Sequence, residues 1–275
     1  MPTIFKQYNK HRESSWAIAL LLVIMTISAC ANREIQSKAT SSTLSADEKQ
    51  ALLNPAATVK SAIGAPRDYT ADWMSLEKWF DLHKEDVAVA NQGEVDLLFI
   101  GDSITQGWPQ DLLAEAFPGF TIGNFGIGGD LTENLVWRLE NGGTGALQPQ
   151  LVVQLIGINN FWDDPSAPAF IMEGIKRNTE ILLSSFPSAN IMLLGLLPAD
   201  LDKLSDRSLI NKLNQMIEFY AKQNPRTHYR YQGDVFVDED SKIRSDLMPD
   251  NLHPNRQGYI AWLDILKQDI EALLK

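Results

Sequence analysis

Short, almost continuous apolar runs alternate along the chain with longer segments whose apolar residues recur every three or four positions. The continuous runs predict strands buried on both faces, and the periodic segments predict amphipathic helices. The strands are predicted at 95–100, 120–125, 151–156 and 191–194, with a weaker one at 229–237. The helices are predicted at 73–90, 112–117, 131–140, 171–183, 209–220 and 259–273. This alternation predicts a parallel sheet with helices on both faces.

The N-terminus has a different pattern, in which a basic start precedes an uncharged apolar run at 16–29. That run is shorter than the about 20 residues that a membrane-spanning helix needs, and the pattern is typical of a secretory signal. The run ends in ISAC, which resembles the lipobox of bacterial lipoproteins, and Cys30 is the sole cysteine of the chain. By that resemblance Cys30 is lipidated after cleavage. The alternatives are a cleaved signal with an incidental cysteine and an uncleaved anchor.

These patterns divide the chain into a lipoprotein signal peptide at 1–29, a lipidated Cys30 with a flexible tether at 30–70, and a folded domain at 71–275. The tether is rich in Ala, Ser and Thr and shows no sustained period. An acyl chain anchors a protein without spanning the membrane. We therefore expect a secreted protein held by lipid at the bacterial cell envelope. Ala31 in place of Asp favours the outer membrane, by resemblance to Gram-negative lipoproteins.

Charge and cysteine content exclude some classes of function. The chain has 24 Lys and Arg against 35 Asp and Glu, a net charge of −11. A nucleic-acid partner is not expected, because phosphate backbones are bound by clustered basic residues. One cysteine excludes an intramolecular disulfide, and with four histidines it excludes a Cys-rich zinc site.

Polar residues able to do chemistry follow three successive predicted strands. In a parallel α/β sheet, ligands bind beyond the carboxyl ends of the strands. Ser103, in GDSITQG, lies at a strand-to-helix turn and is either a nucleophile or a helix cap. The loop NFGIGGD at 124–130 either presents glycine N–H groups at the start of a helix or is a tight turn. Asp130 and Glu133 resemble a capping box for the helix that follows. Asn159, in GINN, is either an oxyanion donor or a turn residue.

A fourth group lies near the C-terminus, just before the closing helix. In DNLHP the spacing of three lets the carboxylate of Asp250 reach Nδ1 of His253. That contact would fix the imidazole tautomer and leave Nε2 to take a proton from Ser103. His83 and His228 are interpreted as packing or surface residues.

The four blocks GDSITQG, NFGIGGD, GINN and DNLH, in this order, resemble the SGNH/GDSL hydrolase family over residues 95–270. The stretch NFGIGGDLTENLVWRLENG resembles the catalytic subunits of platelet-activating-factor acetylhydrolase. The fold of this family belongs to the α/β class. It is a flavodoxin-like domain with a three-layer α/β/α architecture. No G-x-S-x-G elbow is present, which argues against the α/β-hydrolase fold. Two departures from the family pattern, Ile158 and the reading GDSI, touch no catalytic role.

The resemblance implies a role for each matching residue. Ser103 is the nucleophile, His253 the general base and Asp250 its orienting partner, while Gly129 and Asn159 join the Ser103 N–H in an oxyanion hole. No metal and no cofactor are expected. Three further residues are assigned by position to substrate binding: Asp102, Phe161 and Trp162. The aromatic residues, like Trp108, are equally suited to packing.

The resulting hypothesis is a serine esterase that hydrolyses short-chain acyl esters, acetyl above all. Its partners are a small-molecule or glycan ester and, through Cys30, a membrane; a homodimer is compatible with it. Three alternatives stay open: a longer-chain lipase, lysophospholipase or thioesterase; an acyltransferase using the same residues; and a catalytically silent envelope-binding lipoprotein.

Overall fold

A five-stranded parallel sheet forms the centre of the protein. The computed structural model describes residues 43–162, 168–200 and 207–274, and residues from Leu44 onward form one compact unit. The strands are β1 (Leu97–Gly101), β2 (Ile122–Gly126), β3 (Leu151–Leu155), β4 (Asn190–Leu194) and β5 (Thr227–Arg230), in the order β2-β1-β3-β4-β5. The predicted strands are confirmed, although the weak fifth one is shorter than expected and gives way to a 3-10 turn at Gly233–Phe236.

Six of the eight α-helices in the described ranges match the predicted periodic segments. The eight are α1 (Ala46–Leu53), α2 (Leu76–Gln92), α3 (Ser103–Gln106), α4 (Gln110–Ala116), α5 (Thr132–Arg138), α6 (Pro168–Ser185), α7 (Ser208–Ala221) and α8 (Arg256–Glu271). A π-helical turn (Leu139–Gly143) extends α5, and 3-10 turns lie at Lys60–Ala62 and Asn159–Trp162. None of the helices in the described ranges is long and apolar enough to cross a bilayer.

The strand order reverses direction at β1, and this sets the two helical layers. Right-handed connections place α5, α6 and α7 on one face, where they pack against one another. The β1-to-β2 connection and α8 lie on the other face, where Trp108 packs against Tyr259 and Trp262 of α8. The three-layer α/β/α fold is confirmed. A crevice opens beyond the carboxyl ends of β1 and β3, where the winding diverges.

The carboxyl ends of the central strands are brought level by their register. Gly101 at the end of β1 lies opposite Gly126 of β2 and Leu155 of β3. A methyl group on Gly101 would lie 1.9 Å from the carbonyl oxygen of Leu155, so only glycine lets the strands approach this closely. The loops after β1, β2 and β3 therefore start side by side.

The packed domain starts at Leu44, not at 71. Leu52 of α1 is buried, and Glu48 forms an ion pair with Lys212 of α7 at 2.8 Å. The ammonium of Lys176, itself buried, donates to the carbonyls of Ala51 and Pro55. The predicted tether is therefore wrong for residues 44–70. Residues 1–42, with the predicted signal peptide and Cys30, lie outside the described ranges, and the lipid anchor stays a prediction.

Replacing Leu52 by Ala tests whether this N-terminal segment stabilises the domain. The Leu52 side chain is 2% exposed, so Leu52→Ala should lower the free energy of unfolding by about 2 to 5 kcal/mol. Its neighbour Leu53 is 51% exposed, and Leu53→Ala should change it by less than about 0.5 kcal/mol. Urea unfolding of both variants measures the difference. Equal, small effects would mean that the segment does not contribute to stability.

Candidate active site

Ser103 is the first residue of α3, directly beyond the end of β1. The preceding residue, Asp102, caps this helix by accepting a hydrogen bond from the N–H of Ile104 at 3.0 Å. The hydroxyl of Ser103 therefore has no capping role, in contrast to the alternative left open by the sequence. It lies half-buried at the wall of the crevice, with its own backbone N–H at the start of the helix.

The Ser103 hydroxyl begins a chain of hydrogen bonds that ends at Asp250. Its Oγ lies 2.8 Å from Nε2 of His253, and Nδ1 of the same ring lies 2.7 Å from Oδ2 of Asp250. These residues are 150 positions apart in sequence, and the fold brings them together as predicted. Such a chain lets the imidazole take the hydroxyl proton while the carboxylate stabilises the charge that develops.

The loop that carries Asp250 is bent so that one carboxylate serves two purposes. Asn251 adopts a left-handed conformation with φ of 61°, and Oδ1 of Asp250 accepts the N–H groups of Leu252 and His253. Burial acts to raise the pKa of Asp250, but the hydrogen bonds from His253 and Leu252 outweigh it and hold the pKa below its ordinary value. The carboxylate is therefore ionised at neutral pH, and Nδ1 of the imidazole carries a proton.

Three groups that can donate hydrogen bonds belong to residues that line the same cavity as His253. They are the N–H of Ser103, the N–H of Gly129 and the side-chain amide of Asn159, and all three residues line one cavity. In the described part of the chain neither backbone N–H donates to a protein acceptor. The side-chain amide of Asn159 donates one of its two hydrogens to the carbonyl of Asp130 at 3.0 Å. The second hydrogen is left available for another acceptor. Donors of this kind can together bind an anion.

The loop with Gly129 is held by polar contacts on both sides. The N–H of Gly128 donates to Oε1 of Gln106 at 3.0 Å, and Nη1 of Arg67 donates to the Gly128 carbonyl at 2.9 Å. Gly129 has φ of +76°, and a methyl group there would lie 2.6 Å from the ring of Trp73. Only glycine satisfies both conditions.

A buried ion pair also fixes the loop that carries Gly129. Oδ2 of Asp130 lies 2.7 Å from Nε of Arg138, and Oδ1 accepts the indole N–H of Trp79. The guanidinium also donates to the carbonyls of Gly101 and Phe125. Burial raises the pKa of Asp130, against the lowering effect of the Arg138 charge.

The predicted capping box of Asp130 and Glu133 is wrong, because Asp130 is engaged by Arg138. The N–H of Leu131 is instead accepted by Oδ1 of Asn134. Glu133 accepts from the side chain of Asn160, whose own oxygen accepts the N–H of Thr132. The second Asn of GINN thus fixes the start of α5, a role the sequence did not indicate.

The cavity holds about 740 Å³ and has aromatic and aliphatic walls. Around Ser103, Gly129, Asn159 and His253 it is lined by Tyr69, Trp73, Gln106, Gly128, Leu131, Trp162 and Leu252. Among the described residues no three His, Cys, Asp or Glu side chains are placed to hold a metal ion together.

Known proteins share this arrangement of elements. A model of the GDSL-like Lipase/Acylhydrolase family matches residues 99–261. The chain belongs to that family. It is 33% identical to the human platelet-activating factor acetylhydrolase IB subunit alpha1 over 183 residues, which cover 66% of this chain and 78% of the relative. The human alpha2 subunit is 30% identical over 200 residues, 72% of this chain and 86% of the relative. This hydrolase is an enzyme that cleaves carboxylic esters.

Solved structures agree with the fold of the hydrolase. A GDSL-like lipase from Bacteroides thetaiotaomicron superimposes with a TM-score of 0.56 at 24% identity, over 71% of this chain and 98% of that one. The likeness confirms the predicted architecture.

Two of the residues assigned to substrate binding do not reach the cavity of the hydrolase. Asp102 is completely buried beneath α3, and Phe161 is completely buried in the core. Trp162, the next residue, does line the cavity. Trp108 is a packing residue against Phe99 and α8.

The cavity also has walls that the sequence did not indicate. Tyr69 and Trp73 come from the segment just before α2, and Tyr69 from the part interpreted as tether. The only feature of the local sequence that could have indicated these walls is the two aromatic residues of RDYTADWM, in an otherwise polar stretch.

The carboxyl of Asp102 makes stability depend on pH. One oxygen caps α3, and the other has no hydrogen-bond partner among the described residues. Burial raises the pKa of Asp102 from 3.8 to about 7, and the nearby charge of Asp130 adds to the effect. At pH values between these two pKa values, Asp102 keeps its proton in the native state but has lost it in the unfolded chain. The contribution of Asp102 to stability therefore falls as pH rises through this range.

Asp102→Asn removes this titration while keeping an oxygen for the cap. The free energy of unfolding of the variant, relative to the wild type, should therefore increase by roughly 2 kcal/mol between pH 5 and pH 8. Urea unfolding at the two pH values measures it, with Asp240→Asn at the surface as the control for loss of one carboxylate. If the variant and the wild type differ in free energy of unfolding by the same amount at both pH values, the prediction that buried Asp102 binds a proton in this range is wrong.

Proposed function

We propose that this hydrolase cleaves short-chain acyl esters, acetyl esters above all, through a covalent intermediate on Ser103. The observation that carries the proposal is the unbroken hydrogen-bonded chain from Ser103 through His253 to Asp250, at the wall of a cavity that also exposes unpaired N–H donors. Nucleophile, base, orienting carboxylate and anion site are the four parts that acyl transfer needs.

The reaction follows from this geometry. Oγ of Ser103 attacks the ester carbonyl carbon as Nε2 of His253 takes the hydroxyl proton, and the carbonyl oxygen becomes an anion. The N–H groups of Ser103 and Gly129 and the amide of Asn159 bind that anion. The imidazolium then gives its proton to the leaving alcohol, and the acyl group stays on Ser103. Water then attacks the acyl carbon as Nε2 of His253 takes one of its protons. The bond between that carbon and Oγ of Ser103 breaks, the imidazolium returns the proton to Oγ, and the acid is released.

Ser103→Ala should lower kcat for p-nitrophenyl acetate by about four orders of magnitude or more, because no covalent path remains. The domain from residue 43 onward is sufficient for the measurement. Ser184→Ala, at an exposed position of α6, is the matched control and should behave as the wild type. A fluorophosphonate probe should add its mass to Ser103 in the wild type and not in Ser103→Ala.

Equal turnover by the wild type and Ser103→Ala would refute the mechanism. Absence of both turnover and labelling in the wild type would instead favour the silent binding lipoprotein. Transfer of the acetyl group to a sugar acceptor, detected by product analysis, would favour the acyltransferase.

The acyl preference is supported by the relatives, which are acetylhydrolases by name and share about a third of their residues with this chain. Their names state an acetyl substrate, and the family model, which matches residues 99–261, spans every block that carries a proposed catalytic residue. The cavity of about 740 Å³ is much larger than an acetyl group, so most of it is left for the alcohol side of the ester.

A series of p-nitrophenyl esters from C2 to C12 measures this preference. We expect kcat/KM to be highest at C2 to C4 and to fall by about tenfold or more at C8. A maximum at C8 or longer would support the lipase or lysophospholipase instead, and preferential cleavage of acyl thioesters would support a thioesterase. Trp162→Ala is an informative companion, since loss of this wall should broaden the tolerated chain length.

A further inference from the structure

Arg67 is a buried cation on the far side of the loop that carries Gly129. Its side chain is 3% exposed, and its guanidinium lies 4.2 Å from the ring centre of Tyr69 and 5.2 Å from that of Trp73. Nε donates to the carbonyl of Tyr69, and Nη1 donates to the carbonyl of Gly128 at 2.9 Å. The charge is thus desolvated, and its fixed partners are backbone carbonyls and aromatic faces.

The carbonyl that Arg67 binds belongs to the same peptide group as the N–H of Gly129. In a planar trans peptide the C=O and N–H bonds point in opposite directions. Holding the Gly128 oxygen against the guanidinium therefore turns the Gly129 N–H away from Arg67, toward the cavity that Gly129 lines. A charged donor on the oxygen also polarises the peptide and makes the N–H a stronger donor.

Among the residues that the structure describes, Arg67 has no ion pair of its own. The neighbouring carboxylate, Asp130, is committed to Arg138 at 2.7 Å. Nη2 of Arg67 has no hydrogen-bond partner within the described ranges, and it would lie 3.0 Å from a methyl group placed on Gly129. A positive charge therefore lies directly behind the backbone at which negative charge would develop.

We infer that Arg67 is a positioning residue for ester hydrolysis: its guanidinium aims the N–H of Gly129 into the cavity and its charge favours the oxyanion bound there. The inference rests on the proposed function, since it needs an oxyanion at Gly129. Arg67 lies outside residues 99–261, which the family model matches, so the device belongs to the N-terminal segment of this chain.

The test compares Arg67→Met with Arg226→Met. Arg226 is a matched control, because its guanidinium also donates to backbone carbonyls, those of Leu183, Phe186 and Ala189, and none of these belongs to the site. For each variant kcat and KM with p-nitrophenyl acetate are measured, together with the inhibition constant of an alkylboronic acid and the Tm. The boronic acid forms a tetrahedral adduct on serine and so reports on oxyanion binding.

Arg67→Met should lower kcat by about 10- to 100-fold with little change in KM, and should weaken boronic acid inhibition by a similar factor. Arg226→Met should lower the Tm and leave kcat and inhibition as in the wild type. Arg67→Lys keeps the charge but offers no planar fork, so its kcat should lie between those of Arg67→Met and the wild type.

Wild-type kcat and boronic acid affinity in Arg67→Met, with only the Tm reduced, would overturn the inference. A rise in KM at unchanged kcat would overturn it as well, since it would assign Arg67 to ground-state binding. If Arg67→Met fails to fold, Arg67→Lys decides, and wild-type values in that variant would refute the role. Failure of the proposed function is recognised separately, by Ser103→Ala being as active as the wild type.

Discussion

The buried ion pair between Asp130 and Arg138 is the interaction on which the site depends. The guanidinium joins the carboxyl ends of β1 and β2, through the carbonyls of Gly101 and Phe125, to the loop that carries Gly129. Arg138 also lies 3.2 Å from a carboxylate oxygen of Asp86. Removing Arg138 would therefore leave two carboxylates in the interior without their cation, at a cost of about 3 to 5 kcal/mol. The backbone that carries Ser103 and the backbone that carries Gly129 are thereby fixed to each other before any substrate arrives.

The opposite wall of the site is built on a different principle. The side chains of His253 and Asp250 are 39% and 54% exposed, and they lie on a surface loop whose bend depends on Asn251. In the mechanism we propose, the anion side needs fixed dipoles, and the backbone of Gly129 that would supply one of them is buried. The side with His253 lies near solvent. The two walls thus differ in their exposure to solvent.

Local sequence patterns were sufficient for the strands, the helices and the four polar blocks, because each depends on neighbours within a few residues. They failed where the deciding contact is distant. Asp130 has a good capping position, yet its partner is Arg138, and only the folded strand ends make that pairing favourable. Phe161 and Trp162 are adjacent, but the 3-10 turn sends one into the core and the other into the cavity. The N-terminal segment has no strong period, and its stabilising partners lie more than a hundred residues away, on α6 and α7.

The candidate site combines residues inside the family-model match with residues that come before it. The proposed nucleophile, its imidazole partner and the proposed anion donors all lie within the matched residues 99–261, whereas Tyr69 and Trp73 come from before them. In the mechanism we propose, the matched part holds the reacting atoms. The part before it contributes two aromatic rings to the cavity wall. The rings of Tyr69 and Trp73 pack on Arg67, which in turn binds the carbonyl of Gly128, so this segment connects the cavity wall to the backbone of the glycine loop. If Gly129 binds the oxyanion as we propose, substrate fit and anion binding are not independent, because a change in the aromatic wall would be transmitted through the buried guanidinium to the peptide group between Gly128 and Gly129.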